Sequence, residues 1–363
     1  MKFIHVSDIH IGMSPDPTMF WSEDRANDIK ETFSDVITRC KDEEADVLLI
    51  SGDLFNHQPL REELEYVNNL FSTIPRTQVV VIAGSADHIK SNSPILNFKF
   101  SDNVYYFLDK TDFSFQVLKK TVVVHGFSYY SLEDTAPIIN SITPENDKNI
   151  HILLAYGGDS NHSPFDVNKL ANKNFSYVAL GSKHNFTNLI DGKAYYAGSP
   201  EPLDSNDLGD HGIIIGEINE STKRVQNLRF EKTARASYIP INIKINGAST
   251  EEDIVEIVVR EVIKLGGNNI FKIKLTGLRN PDLELSREMF SQKIRISDVI
   301  DNTTPKYDFV KLSSEHPQDM IGAFIRKMTS ASTELSDIEK RALYLGTHAL
   351  IKTIDKNSLM KNF

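Results

Sequence analysis

The stretch Met1-Lys-Phe-Ile-His-Val-Ser-Asp8-Ile-His10 decides how this chain is read. Its apolar residues, Phe3 to Val6, predict a strand, and it ends in Asp-x-His. On a continuing strand, side chains alternate, so Asp8 and His10 would project to the same face. A carboxylate beside an imidazole at a strand tip suits Zn, Mn or Fe. Asp-x-His also arises by chance, so its weight rests on further ligands elsewhere in the chain.

Working outward, residues 24–44 carry Ile29, Phe33, Val36, Ile37 and Cys40 at helical spacing. Asp46-Val-Leu-Leu-Ile-Ser-Gly-Asp53 is a short apolar run, which predicts a strand buried on both faces. A helix over 60–73 and a strand over 78–84 follow, and this alternation predicts an α/β fold. In such sheets functional groups gather at the carboxyl ends of the strands, where Asp8, His10, Asp53 and the residues after Gly84 fall. Further strands are expected at 104–108, 113–118, 121–125, Ile150–Tyr156, Tyr177–Gly181 and from Ile213, with a turn-rich stretch over Tyr195–Pro202.

A second unit begins near Ser237-Tyr-Ile-Pro-Ile-Asn-Ile-Lys-Ile, which alternates as a half-buried strand. Ser249-x-x-Glu252 reads as a capping box before a helix that Gly266-Gly267 stop, and a second strand starts at Ile270. The last 50 or so residues read as helices. One carries Met320, Ile321, Phe324, Ile325 and Met328; the other, after a capping box at Ser336-x-x-Glu339, carries Leu343, Leu350 and Ile354. These helices either pack on their own domain or present an apolar face to a partner.

The chain has 363 residues, 40% hydrophobic and 25% charged, enough for two or three domains with a sizeable core. A net charge of -10 argues against a freestanding nonspecific nucleic-acid binder, though not against a nuclease whose cations come from metals or a partner. One cysteine, Cys40, excludes an intrachain disulfide and a Cys-rich zinc site. No apolar run reaches the ~18–20 residues of a membrane span, and no signal-peptide pattern opens the chain, so the expected compartment is the cytoplasm.

Five motifs stand in order at the ends of the expected strands: Asp8-Ile-His10, Gly52-Asp53-Leu-Phe, the loop after Gly84, Ala179-Leu-Gly181-x-x-His184 and Tyr196-x-Gly198-Ser-Pro-Glu-Pro202. Together they resemble the calcineurin-like metallophosphoesterases. Asn92-Ser-Pro, Asn103-Val-Tyr and the Gly-Ser-Pro-Glu-Pro turn resemble the double-strand-break repair nuclease branch, the SbcD type that works with an SbcC-type ATPase. The likeness is strong over residues 1–235 and extends beyond them only in layout. It implies a two-sheet sandwich flanked by helices over 1–235, a small α/β capping domain over 236–305, and helices over 306–363 that dock an ATPase coiled coil. Met320, Phe324, Leu343 and Leu350 are the expected docking residues. The likeness also implies a homodimer that meets DNA ends.

In the family, two divalent ions share a bridging Asp, generate a hydroxide and stabilise the phosphodiester in flight. By resemblance, Asp8, His10, Asp53 and His184 hold the first ion, with Asp53 as the bridge. This chain departs from the pattern for the second. Where the family has Gly-Asn-His-Asp, it has Gly84-Ser85-Ala86-Asp87, which removes a ligand Asn and the catalytic His. A ligand His is replaced by Tyr156, and another by Ser182 in Gly181-Ser-Lys-His184. Serine is a poor ligand for such ions; a Tyr156 phenolate could bind iron but needs a pKa well below ~10. Lys183 could supply charge at the vacated position, though a solvated loop lysine is the plainer role. His88, or Asp159 with His162, could rescue the site after a loop shift, whereas His57, His125, His151 and His211 read as structural or surface residues.

The expectation is one Mn²⁺ ion or none, and a subunit of an SbcC/SbcD-like repair complex whose phosphodiesterase activity is weakened or lost. The alternative is an active Mn-dependent DNA exo/endonuclease using one metal or a rescued site. A small-substrate phosphoesterase is a third reading, which the Gly198–Pro202 segment disfavours.

Overall fold

The structure is a computed structural model that describes residues 1–108, 114–117, 122–145, 147–290, 294–330 and 335–360. The elements of the first part are β1 (Lys2–Val6), α1 (Ser22–Asp42), β2 (Val47–Ser51), α2 (Arg61–Ser72), β3 (Gln78–Ile82), β4 (Val104–Tyr106), β5 (Ser114–Val117) and β6 (Val122–Gly126). There follow α3 (Ile138–Ser141), β7 (Ile150–Tyr156), α4 (Val167–Ala171), β8 (Tyr177–Gly181), β9 (Thr187–Ile190), β10 (Ala194–Tyr196), β11 (Gly212–Ile218) and β12 (Val225–Lys232). The expected strand ends at 113, 118 and 121 lie outside the described residues.

These strands form two six-stranded sheets, ordered β12-β11-β1-β2-β3-β4 and β5-β6-β7-β8-β10-β9. The central pairs are parallel (β1 with β2, β2 with β3, β6 with β7, β7 with β8), β4 adds a parallel edge beside β3, and antiparallel pairs stand at other edges, among them β11 with β12 and β5 with β6. The alternation along each strand assigns its side chains to two cores. Phe3, Val47, Leu49, Val80 and Ile82 face the second sheet and pack with Val124, Ile152, Leu154 and Tyr177. Their neighbours Ile4, Leu48, Ile50, Val79 and Val81 face α1 and α2, packing with Ile29, Phe33, Val36, Leu64 and Phe71. The continuous apolar runs thus reflect burial on both faces, as expected of an inner sheet. The fold is the mixed α/β sandwich flanked by helices.

The chain divides into two compact units, Met1–Tyr238 and Ile239–Phe363. In the second, β13 (Tyr238–Ile245), α5 (Glu251–Leu265), β14 (Ile270–Arg279) and β15 (Ile296–Pro305) make a three-stranded sheet in the order β13-β14-β15. Strands β14 and β15 run parallel. Phe271, Ile273 and Leu275 pack with Ile254, Val258 and Val262 of α5. The capping box lies one residue later than expected. Thr250 accepts from the Asp253 N–H, and the Asp253 carboxylate accepts from the Thr250 N–H. Ser249 is already engaged, because its hydroxyl accepts from the Asn246 N–H in the preceding turn. Gly266 ends α5 at φ 95, a left-handed value that glycine tolerates.

Helices α6 (Phe309–Glu315), α7 (Met320–Ser330) and α8 (Asp337–Met360) complete this unit. The Ser336–Glu339 capping box forms as expected. Ile321, Ile325 and Leu343 form a small buried cluster, with Phe324, Met328 and Leu350 packed against it. Of the four expected docking residues, Leu343, Phe324 and Leu350 therefore serve the helices' own packing. Met320 of the same stripe is 68% exposed and stands outside this cluster. It is the first residue of α7, and helical side chains lean toward the N-terminus, carrying it past the packed end. The Ile354 side chain lies outside those described. Among the described residues no helix is long and apolar enough to cross a membrane.

Candidate metal centre

Strand β1 ends at Val6, so Asp8 and His10 do not converge through strand alternation. The loop after β1 runs alongside the loop after β2: Asp8 N–H donates to the Gly52 carbonyl at 3.1 Å and His10 N–H to the Asp53 carbonyl at 3.0 Å. Asp8, His10 and Asp53 all take left-handed backbone angles, φ 51, 54 and 48. Such conformations are costly for residues with a Cβ and persist where the surroundings enforce them, commonly at functional sites. Here they turn three polar side chains to one point at the carboxyl ends of β1 and β2.

Asp8, His10 and His184 each offer one ligand atom within 4.8 Å of the others. That span suits one ion with donors about 2.0–2.2 Å away after small side-chain rotations. The imidazoles are pre-oriented. His10 Nδ1 bonds Asn56 Oδ1 at 3.1 Å, and His184 Nδ1 bonds Asp207 at 2.9 Å. Each leaves Nε2 for an ion, the usual arrangement in which a second partner fixes a ligand histidine. His10 Nε2 is buried without a hydrogen-bond partner, 3.6 Å from Asp53 Oδ2. A buried lone pair without a donor is costly unless a cation meets it. Asp8 accepts from the Ser182 N–H.

The electrostatics agree with a cation site. Burial pushes the Asp8 carboxyl above its ordinary range, against the pull of His184. Burial lowers His184, but the Asp207 hydrogen bond and the Asp8, Asp207 and Asp53 charges outweigh it and hold the imidazole at about 9. The field that keeps a proton on His184 also favours a divalent ion. The donor set, two imidazoles and a carboxylate with Asp53 adjacent, fits one Zn, Mn or Fe ion. When bound, such an ion would polarise a phosphoryl oxygen and acidify water.

Asp53 lies beside this group, and both its oxygens accept hydrogen bonds. Its Oδ1 accepts from the Ala86 N–H at 2.8 Å and its Oδ2 from the Tyr156 hydroxyl at 2.7 Å. The Ser85 hydroxyl meets the same phenol at 2.9 Å. Burial, with Asp53 and Asp8 nearby, raises the Tyr156 phenol well above its ordinary value. The neutral phenol is the form that donates to Asp53 in this geometry. Gly52 and Gly84 make room for the ring: a Cβ on Gly52 would sit 2.4 Å from it, and one on Gly84 2.7 Å from it and 2.3 Å from Asp53 Oδ1. Ala86 contributes only its backbone N–H.

The other candidates lie apart from the three-residue group. His88 Nδ1 bonds the Ser85 carbonyl, and His162 Nδ1 bonds Asp159. The Lys183 ammonium sits over the Tyr196 ring, 4.6 Å from its centroid. His57 pairs with Glu63, His125 with His151, His151 with Asp147, and His211 with Ser199. Three supporting residues escaped the sequence reading. Asn56 and Asp207 orient the imidazoles. Asp87 stitches the loops after β2 and β3 by accepting from the Gly84 and Phe55 N–H groups. Asp207 stands 23 positions from His184, and no local spacing marks it.

Residues 1–197 match the calcineurin-like phosphoesterase family. Similar curated relatives are the DNA double-strand break repair proteins Mre11 of three archaea. The one from Sulfolobus acidocaldarius is 26% identical over 310 residues, covering 76% of this chain and 75% of its own length. The one from Sulfurisphaera tokodaii is 26% identical over 317 residues, covering 79% and 76%. The one from Methanocaldococcus jannaschii is 23% identical over 263 residues, covering 67% and 70%. The family match spans more than half the chain and contains Asp8, His10, Asp53 and His184, and the geometry brings those four together at the strand ends. This protein belongs to the calcineurin-like phosphoesterase family.

Proposed function

We propose that this chain is an SbcD-like subunit of a double-strand-break repair complex in the cytoplasm, holding one Mn²⁺ ion, with phosphodiesterase activity weakened or lost. The observation that carries this is the Tyr156 hydroxyl. It sits on the bridging carboxylate Asp53 with Ser85, where a second ion would need open ligands. A neutral phenol there replaces a double positive charge. Ala86 supplies no proton to a leaving group, and acid–base catalysis alone contributes ~10²–10⁴-fold. The names of the similar relatives, DNA double-strand break repair proteins, support the repair context; DNA ends, a coiled-coil ATPase and a second copy of the chain are the partners this reading adds from the motif resemblance. The organisation follows: residues 1–235 as the nuclease-like domain, 236–305 as the capping domain, and 306–363 as the ATPase-docking helices.

A second reading is an active one-metal nuclease. It is favoured by the unpartnered His10 Nε2 and the intact Asp8–His10–His184 group. Elemental analysis and digestion of linear DNA in Mn²⁺ separate the two. The expected result is one ion per chain and digestion at least about 100-fold below a two-metal relative. Two ions per chain with full-rate digestion abolished by Asp53→Ala would overturn the proposal.

A further inference from the structure

Beyond the metal centre, the second unit holds a groove of about 440 Å³ between the β14–β15 sheet and the start of α8. In β14, Phe271, Ile273 and Leu275 turn to α5, so the intervening Lys274 and Thr276 stand on the other face. Asn302 of β15 and Lys340, Arg341 and Tyr344 of α8 line the same groove. Three cations meet one carboxylate, Asp337, which lies 3.9 Å from Lys340. Lys274 and Arg341 have no acidic partner among the described residues. This cationic lining stands out on a chain of net charge -10.

We propose that this groove receives the phosphodiester backbone of one nucleic-acid strand, a proposal that takes its partner class from the DNA-repair reading above. The cations can pair with backbone phosphates, and counterion release makes such contacts favourable at low salt. The hydroxyl and amide of Thr276 and Asn302 suit phosphate oxygens, as such side chains commonly contact the backbone. Tyr344 places an aromatic ring beside the cations, and bases stack on such rings without sequence preference. A polyanionic peptide would use the charges but gain nothing from the ring.

The test uses the full chain and a fluorescent single-stranded oligodeoxynucleotide in EDTA, so that cleavage plays no part. The triple variant Lys274→Gln, Lys340→Gln, Arg341→Gln is expected to bind at least about tenfold more weakly, with the slope of log K against log salt shallower by about 2. An unchanged melting temperature shows that the variant remains folded, and Arg260→Gln, an exposed residue of α5 on the opposite face of the sheet, is expected to bind like the parent. Equal affinity and salt slope for triple variant and parent would overturn the groove while leaving the DNA-repair reading intact. A parent that binds no DNA even at low salt would likewise overturn the groove, whereas the repair reading stands or falls on the ion count and digestion described above. Poly-glutamate of equal charge displacing the oligonucleotide as well as unlabelled DNA does would reassign the groove to an acidic peptide.

Discussion

At the scale of the residue, Tyr156 carries the proposed departure from a two-ion site. Its neutral hydroxyl donates one hydrogen bond to the Asp53 carboxylate, at the position where the proposal leaves no second cation. Reversing this position alone leaves Ser85, Ala86 and Ser182 unable to serve, so the combined change Ser85→Asn, Ala86→His, Tyr156→His and Ser182→His is the informative variant. It is expected to raise bound Mn²⁺ from one to two per chain, counted by elemental analysis, and to raise linear-DNA digestion by ~10²-fold or more. Asp207 makes a separate prediction. Asp207→Asn replaces the carboxylate that orients His184 and is expected to weaken the first ion about 10–100-fold by titration calorimetry. No change in affinity would mean that His184 is oriented by its loop alone.

At the scale of the element, loops after parallel strands build the centre, and glycines let them approach. Gly84→Ala forces a methyl against both Asp53 and Tyr156, groups held by hydrogen bonds and by packing. The expected cost is about 1–3 kcal/mol, read as a lower denaturation midpoint together with loss of the Mn²⁺ site. The α5 cap offers a sharper contrast. Thr250→Ala removes the cap and is expected to cost about 1 kcal/mol, whereas Ser249→Ala, one residue earlier, is expected to cost less than about half of that. Urea denaturation of both variants decides whether the box belongs to Thr250–Asp253. The adjacent Ser249-x-x-Glu252 spelling satisfies the same rule, and only the turn that occupies Ser249 breaks the tie.

At the scale of the whole molecule, the two sheets of the first unit are joined by a buried polar bridge as well as by apolar packing. His5 on β1 meets Ser51 at 2.8 Å and Tyr177 of the second sheet at 3.0 Å. Burial lowers this imidazole to about 3, so the folded state holds it neutral. The unfolded chain takes up a proton near pH 6.5 and the folded one only near 3. The contribution of His5 is therefore complete above pH 6.5 and is lost as pH falls toward about 3, at up to about 1.4 kcal/mol per pH unit. Urea midpoints at pH 7, 6, 5 and 4 are expected to fall more steeply for the parent than for His5→Gln. Parallel slopes would show that the bridge does not titrate on unfolding.

The sequence by itself determined the α/β class, the two-faced burial of β1, β2 and β3, the family motifs, and the identity of Asp8, His10, Asp53 and His184. The class and the burial follow from local hydrophobic period; the four site residues follow from the resemblance of their motifs to the family. It did not determine how the ligands converge. Alternation along β1 groups Asp8 with His10 for the wrong reason, because the strand ends at Val6 and left-handed backbone at Asp8, His10 and Asp53 does the aiming. Nor could it show that Tyr156 donates to Asp53, that Asp207 and Asn56 orient the imidazoles, or that Leu343 turns inward. Only the tertiary structure decided these, because hydrogen-bond partners and side-chain burial depend on which distant segments meet. The spacing of residues along the chain carries no record of that meeting.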